Sequence, residues 1–199
     1  MKKSMLIGAT ALVFLMSSCK KDETPDDKVS LNEKTVEFLV NGSGSSGNYT
    51  LFSFAEGKEI PSTDSNSTKW DFGIRLATII INNGVSGPGS AFVRIVDKPF
   101  QEVTSAKLEN FEYDQDTSVA NRAVKIEQWA SYNPTARQFS PITGKTFVFV
   151  TATGRYAKLE MLKAEPTDDN GNPVTPPTRP TKIKYTFRYA YQQNGTTNF

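Results

Sequence analysis

Alternation of apolar and polar side chains near the C-terminus constrains the fold of this chain most strongly. Within residues 182–192, every second position is apolar: Ile183, Tyr185, Phe187, Tyr189 and Tyr191. The positions between them, up to residue 188, carry Lys, Thr and Arg. Because successive side chains of a β-strand point to opposite faces, this pattern predicts a strand with one face in a core and the other in water.

Other segments repeat this signal, and helical periodicity is scarce. Ala157, Leu159 and Met161 alternate with Lys158 and Glu160, which predicts a second strand with one solvated face. We also expect strands at 35–40, 49–54, 91–96 and 146–151, and one long apolar run at 70–81 that ends at the turn signal Asn82-Asn83-Gly84. Residues 116–129 fit either a short helix or a strand. The sequence therefore predicts an all-β domain.

Prolines crowd the segment between Met161 and Lys182. They are Pro166, Pro173, Pro176, Pro177 and Pro180, and the turn-forming run Asp168-Asp169-Asn170-Gly171-Asn172 lies among them. Proline cannot donate a hydrogen bond to a neighbouring strand. We expect this segment to be an exposed loop that does not pair in a sheet.

The first nineteen residues have the three parts of a secretory signal. Lys2 and Lys3 precede an apolar stretch at 5–16, and Leu15-Met16-Ser17-Ser18-Cys19 resembles a lipobox. The apolar stretch is shorter than the ~20 residues that a spanning helix needs. We predict a lipoprotein signal peptide at 1–18 and lipidation of Cys19, which would anchor the protein to a membrane. As the only cysteine, Cys19 cannot form an internal disulfide.

A tether follows the lipidated residue. Residues 20–28 are mostly charged and contain no aromatic or β-branched apolar side chain that could be buried. We therefore interpret residues 19–34 as the lipidated N-terminus with a flexible tether. About 180 mature residues suit one core, so residues 35–199 are predicted to form a single domain.

Composition favours binding over catalysis. The chain has no histidine, the usual general base near neutral pH and a common metal ligand, and this argues against an enzyme. Removing residues 1–18 takes away two lysines, which leaves 21 basic and 21 acidic side chains. A net charge near zero gives no basic surface for nucleic acid.

The order of several motifs resembles the HmuY-like haem-binding lipoproteins of Bacteroidetes over about residues 49–199. The matching motifs are Lys69-Trp70-Asp71-Phe72-Gly73-Ile74-Arg75, Asn82-Asn83-Gly84, Ser86-Gly87-Pro88-Gly89-Ser90-Ala91, Trp129, Phe147-Val148-Phe149-Val150, Gly154-Arg155-Tyr156-Ala157-Lys158-Leu159 and Thr186-Phe187-Arg188-Tyr189-Ala190-Tyr191-Gln192. The resemblance implies one compact β-sandwich-type domain with long loops that grip haem. It also implies iron acquisition at the outer membrane, where haem would pass to a TonB-dependent receptor.

The same resemblance implies an orientation for the anchor. A charged stretch directly after the lipidated cysteine resembles the signal that sends such lipoproteins to the cell surface. An ordinary linker facing the periplasm is the alternative.

The resemblance also indicates where haem ligands should lie. Family members hold the iron through two axial histidines or methionines from loops in the second half of the chain. Met161 is the only methionine outside the signal, and its alternation with Leu159 favours a core position.

Two tyrosines stand where the family's ligand loops should fall. The second ligand loop corresponds to residues 129–141, where Tyr132 is the candidate ligand. Arg137 could lower the pKa of its phenol or pair with a haem propionate. The first ligand loop corresponds to about 113–128, where Tyr113 is the candidate. For each tyrosine, packing at a strand end is the alternative.

Two functional hypotheses follow. The first is a hemophore-like surface lipoprotein that binds haem or a related porphyrin as cargo, with unusual or absent axial ligation. The second is a non-haem interaction or structural lipoprotein that uses the same scaffold to bind a glycan or an outer-membrane partner.

Overall fold

Antiparallel strands form three sheets in the computed structural model, which describes residues 31, 33–42, 48–175 and 180–199. The strands are β1 (Lys34–Asn41), β2 (Thr50–Ser53), β3 (Lys58–Ile60), β4 (Phe72–Arg75), β5 (Thr78–Ile81), β6 (Phe92–Val96), β7 (Ala130–Asn133), β8 (Gln138–Pro141), β9 (Thr146–Val150), β10 (Tyr156–Thr167) and β11 (Lys182–Gln192). The helical pieces of the described residues are short 3₁₀ turns at Ser62–Asp64, Phe100–Glu102, Val119–Asn121 and Ile126–Gln128. The prediction of an all-β fold is confirmed.

Two of the sheets pack face to face. The large sheet has the strand order β1-β11-β10-β9-β6, the small sheet has the order β3-β2-β4-β5, and β7 and β8 form a separate hairpin. Phe52 of the small sheet lies 5.1 Å from Phe187 of the large sheet, and Phe72 lies 5.7 Å from Phe149, between ring centroids. These rings fill the space between the sheets, as in a β-sandwich.

The strand predictions hold, with one difference in the run at 70–81. This run divides into β4 and β5, because the chain reverses at Leu76, a non-glycine residue with φ of 50°. The Leu76 N–H donates to the Asn41 carbonyl oxygen at 2.7 Å, and the Tyr185 hydroxyl donates to the Leu76 carbonyl oxygen at 2.7 Å. Contacts from distant strands hold a turn that carries no glycine or asparagine signal.

The prediction of a solvated face for Lys158 and Glu160 is wrong. Both residues are buried, because the segment around Phe100 and Val103 covers the outer face of β10. Lys158 Nζ donates to the carbonyl oxygens of Phe100 and Val103, and Glu160 accepts two bonds of 2.7 Å from Arg188. Charged side chains are buried here because each has partners.

The prediction that the proline-rich segment stays out of the sheet is wrong at its start. β10 continues to Thr167, and Pro166 pairs with Ile183 of β11. The Pro166 carbonyl oxygen accepts a bond from the Val174 N–H, on the side away from β11. Because the N–H and C=O of a strand residue point to the same side, the missing N–H of Pro166 removes no bond to β11.

Asp71 ties the two sheets together. Its carboxylate accepts hydrogen bonds from the N–H of Phe54, just after β2, and of Ala152, just after β9, both at 2.8 Å. The side chain is buried, and this burial raises the pKa of Asp71 to about 6 despite the two hydrogen bonds.

Several predicted features lie outside the described residues. They are the signal peptide, Cys19, most of the tether, Pro176 and Pro177. Residues 116–129, left open between helix and strand, contain two 3₁₀ turns. Within the described part of the chain, no helix has the length and apolar character needed to span a membrane.

Candidate functional site

The β7–β8 hairpin presents an aromatic surface to solvent. Tyr132 of β7 pairs with Phe139 of β8, and their rings lie 4.8 Å apart between centroids. Phe139 packs against the main core, whereas Tyr132 is 52% exposed. A half-exposed aromatic ring that rests on a second ring can receive a flat apolar ligand without reorganising.

The turn of this hairpin positions Arg137. Asn133 Oδ1 accepts hydrogen bonds from the N–H groups of Thr135 and Ala136, both at 3.0 Å, which is the pattern of an Asx turn. The chain returns into β8 through Arg137, whose φ of 50° is unusual for a residue with a Cβ. Within the described part of the chain, the Arg137 side chain makes no hydrogen bond and no ion pair.

A groove separates the hairpin from the second half of β10. Gln138 Nε2 anchors the hairpin through a 2.8 Å hydrogen bond to the Ala164 carbonyl oxygen. The cavity beside this bond has a volume of about 360 Å³ and extends to Pro173 and Val174. We call it the hairpin groove.

A β-bulge places an apolar side chain at the edge of this groove. The register of β10 against β11 shifts between Met161 and Lys163, so Leu162 has no partner and is 46% exposed. The exposed position of Leu162 was not predicted from the sequence. The adjacent apolar pair Met161-Leu162, which interrupts the alternation of β10, was the signal that could have revealed the bulge.

Charge near the groove is only partly compensated. Lys163 Nζ lies 2.8 Å from a Glu165 oxygen, and this hydrogen bond holds the pKa of Glu165 below its usual value. Lys163 is therefore paired with an acidic neighbour, which leaves Arg137 as the cation of the hairpin best able to meet an anionic group.

The remaining two predicted residues lie elsewhere. Met161 is 5% exposed and belongs to the main core, opposite Phe187. Tyr113 packs edge to face against Phe92, with ring centroids 5.6 Å apart. Among the described residues, no hydrogen bond or ring contact joins Tyr113 with Tyr132.

The large sheet separates the two tyrosines. Phe92, whose ring contacts Tyr113, pairs with Val150 of β9. Val150 pairs in turn with Tyr156 at the start of β10. The hairpin contacts β10 at Ala164. Eight positions of a strand span about 25 Å, so Tyr113 and Tyr132 lie near different ends of the sheet. The structure does not bring them to one iron site.

The described residues contain no group of three or more His, Cys, Asp or Glu side chains that could hold a metal ion. Of the four predicted residues, Tyr132 and Arg137 share the hairpin, and neither of them lines the hairpin groove. Tyr132 is the more exposed of the two candidate tyrosines.

A family model establishes the relationship of the chain to known proteins. The model of the HmuY protein matches residues 45–176, about two thirds of the sequence. The chain belongs to the HmuY family. The matched region includes the whole small sheet, strands β6, β9 and β10 of the large sheet, the β7–β8 hairpin and the hairpin groove.

Solved structures resemble this HmuY family member at low sequence identity. Apo PinO from Porphyromonas gingivitis has a TM-score of 0.53 at 13% identity and covers 81% of this chain and 98% of its own, which shows a shared fold. An apo HmuY analogue from Tannerella forsythia has a TM-score of 0.49 at 12% identity, with 81% and 98% covered. A Bacteroides vulgatus protein assigned as HmuY-like and heme-binding has a TM-score of 0.44 at 12% identity, with 79% and 92% covered. None of the curated proteins matches the chain.

Proposed function

We propose that this HmuY family member binds haem or a related porphyrin on the exposed aromatic surface of the β7–β8 hairpin. The observation that carries the proposal is the half-exposed ring of Tyr132, which rests on Phe139 at 4.8 Å in the segment where the family's second ligand loop is expected. Family membership and the naming of a structural relative as heme-binding support the same class of ligand.

The chemistry of the hairpin suits a planar ligand with carboxylates. The half-exposed ring of Tyr132, resting on Phe139, offers aromatic surface for one face of the macrocycle. Arg137, on the turn of the same hairpin, offers a guanidinium to a propionate.

Iron ligation would be one-sided or absent. The chain has no histidine, Met161 is buried in the core, and Tyr113 packs on Phe92, near the other end of the large sheet from the hairpin. A tyrosine phenolate is a known haem ligand, and Tyr132 is the residue that could supply it.

We further propose that the protein works as a binding protein rather than an enzyme, at the outer membrane. Lipid on Cys19 would anchor it, with the domain on the cell surface. A TonB-dependent receptor would accept the haem. The support is the lipobox-like segment and the family relationship.

The second candidate function is a non-haem interaction lipoprotein. The absence of histidine from the sequence and the burial of Met161 favour it, because both residue types that ligate iron in the family are missing from the groove.

A haemin titration of the chain that begins at Lys20, which carries no lipidation site, distinguishes the two functions. We expect a saturable absorbance change with a tyrosinate-type charge-transfer band. Tyr132→Phe should abolish the band, whereas Tyr113→Phe, the matched control at the other end of the sheet, should retain it.

Titration with iron-free protoporphyrin tests whether the protein holds the macrocycle without iron ligation. If the macrocycle is held by the surface of the hairpin, protoporphyrin should also bind, and Arg137→Gln should weaken this binding. No saturable change with haemin up to its solubility limit would reject haem as the ligand and favour the interaction protein.

A further inference from the structure

A further cavity lies on the outer face of the small sheet and has a volume of about 400 Å³. Leu51, Ile80 and Trp70 line its floor, and they form a small hydrophobic cluster separate from the main core. The rim carries the small polar side chains of Asn48, Ser62, Ser65 and Ser86. We call it the small-sheet cavity. An apolar floor with a few convergent polar groups is typical of a small-molecule site.

Charge at the small-sheet cavity is balanced. Arg122 lines the cavity, and its Nη1 lies 3.3 Å from Oδ2 of Asp114, so the guanidinium already has its counter-ion. Asp114 is fully buried and accepts hydrogen bonds from the N–H groups of Ile81 and Ala123, at 2.8 and 3.0 Å. Among the described residues, no Asp or Glu side chain lines the cavity. A cationic ligand therefore finds no partner, and an anionic ligand would bring a second negative charge beside Asp114.

Arg75 forms part of the wall and is engaged by Tyr49. Its guanidinium carbon lies 4.5 Å from the centroid of the Tyr49 ring, and Nη2 lies 3.4 Å from the Tyr49 hydroxyl. This stacking holds both side chains in place at the wall of the cavity. We assign Arg75 no ligand charge, so the small-sheet cavity suits a neutral ligand.

The ion pair leaves one edge of the Arg122 guanidinium with spare hydrogen-bond donors. Nη1 serves Asp114 and the Ser86 hydroxyl. On the other edge, Nη2 makes one long contact of 3.5 Å to the Thr117 carbonyl oxygen, and Nε–H has no partner within the described part of the chain. Arg122 is 9% exposed, and a buried donor without an acceptor is costly. An uncharged oxygen, such as an amide carbonyl, would satisfy this edge and leave the ion pair intact.

The rim supplies hydroxyl and amide groups for a polar ligand. The Ser62 and Ser65 hydroxyls and the side-chain amide of Asn48 make no hydrogen bond to another described residue. Each of these groups can both donate and accept. A ligand that carries several hydroxyl groups would therefore match the rim, and its apolar part would match the floor.

We propose that the small-sheet cavity binds a neutral N-acetylated amino sugar, of the N-acetylglucosamine type. The acetamido carbonyl oxygen would accept from the spare edge of Arg122, the acetamido methyl would lie on the apolar floor, and the hydroxyls would meet the rim. A simple hexose lacks the amide, and a purely apolar ligand leaves the polar rim unmatched. An adjoining cavity of about 440 Å³ shares Ser65 and Ser86, which gives room for a longer sugar chain. The proposal does not depend on haem binding at the hairpin.

The Trp70 indole gives a localised readout. Its N–H donates to the Ser65 carbonyl oxygen at 2.9 Å, beside the cavity, whereas Trp129 lies in the main core. In a ¹H–¹⁵N spectrum of the chain that begins at Lys20, titration with N-acetylglucosamine and N-acetylgalactosamine should move the Trp70 indole signal saturably for at least one of the two sugars. The Trp129 signal should stay in place. Glucose and glucosamine should bind at least about tenfold more weakly, because they lack the acetamide.

Variants connect the signal to the cavity. Ser62→Ala removes a rim hydroxyl from an exposed position and should weaken binding of the preferred sugar about threefold to tenfold. Ser140→Ala, at an exposed position of the hairpin, is the matched control and should bind like the unchanged protein. Arg122→Lys keeps a cation beside Asp114 and removes the Nε–Nη2 edge, so the acetylated sugar should bind no better than glucose. If Arg122→Lys loses the native spectrum, Ser62→Ala and the sugar preference decide.

Three results would overturn the proposal. They are no saturable Trp70 shift with either acetylated sugar up to about 10 mM, equal binding of glucose, or equal effects of Ser62→Ala and Ser140→Ala. Sodium sulfate and glucuronate test the cavity for anion binding. If either of them moves the Trp70 signal as far as the acetylated sugar does, the cavity is an anion site and the sugar assignment is wrong.

Discussion

Lys158 Nζ lies 4.3 Å from the centroid of the Phe100 ring and donates a 3.0 Å hydrogen bond to the carbonyl oxygen of the same residue. A further bond of 2.9 Å reaches the Val103 carbonyl oxygen. One cation thus fastens the segment around Phe100 to the outer face of the large sheet. Burial lowers the pKa of Lys158, and the carbonyl oxygens partly replace its lost water.

Replacement of Lys158 tests this attachment. Lys158→Met keeps an unbranched apolar stem and removes the cation, so two carbonyl oxygens lose their donor. We expect the free energy of unfolding in urea to fall by about 1–3 kcal/mol. Lys163→Met, at an exposed position of the same strand, should change the free energy of unfolding by less than about 0.5 kcal/mol. Equal effects of the two variants would show that the attachment contributes nothing.

Asp71 should make the stability depend on pH. Its folded-state pKa is raised from 3.8 to about 6 by burial, so the native state holds the proton more tightly than the unfolded chain. The resulting stabilisation is complete below about pH 4 and is lost as the pH rises through about 6, and it amounts to about 3 kcal/mol. Asp71→Asn, which cannot ionise, should lack this part of the pH dependence. Parallel stability curves for the two proteins between pH 4 and 7 would contradict the expectation.

Asp114 should be among the residues least tolerant of change. Asp114→Ala would leave the buried Arg122 without its carboxylate and the N–H groups of Ile81 and Ala123 without an acceptor. We expect a loss of about 3–5 kcal/mol in the free energy of unfolding, measured by chemical denaturation. The control is Asp97→Ala, whose side chain is 81% exposed and whose one ion pair among the described residues is with Lys145. That change should cost less than about 1 kcal/mol.

Two substitutions of Arg137 should differ in their effect on stability while both weaken haemin binding. Its φ of 50° strains a residue with a Cβ, so Arg137→Gly should raise the free energy of unfolding by about 0.5–1 kcal/mol, as measured in urea. The same variant should weaken haemin binding, because the guanidinium is lost. Arg137→Gln keeps the strain and loses the charge, and it should weaken binding with no gain in stability. Unchanged haemin affinity in both variants would remove Arg137 from the site.

The strands were predictable because their signal is local. Alternation along 182–192 predicted β11 and its buried face, and the order of motifs predicted the family relationship. Leu162 and the hairpin groove were not predicted, since a bulge depends on how two strands pair.

Buried carboxylates were missed for a related reason. Asp71 and Asp114 were not predicted to be buried, whereas both are buried in the structure and accept backbone hydrogen bonds. Asp71 stands directly between Trp70 and Phe72, and a lone carboxylate within an apolar motif was a signal that it is buried with partners.

The sequence by itself determined the all-β class and the core face of the main strands, because side-chain alternation is a property of neighbouring residues. Only the tertiary structure decided the turn at Leu76, the burial of Lys158, the pairing of Pro166 and the separation of Tyr113 from Tyr132. Each of these depends on contacts between segments that are distant in the chain. Such contacts arise when the sheets pack, and they can override the preferences that a residue has in its local sequence.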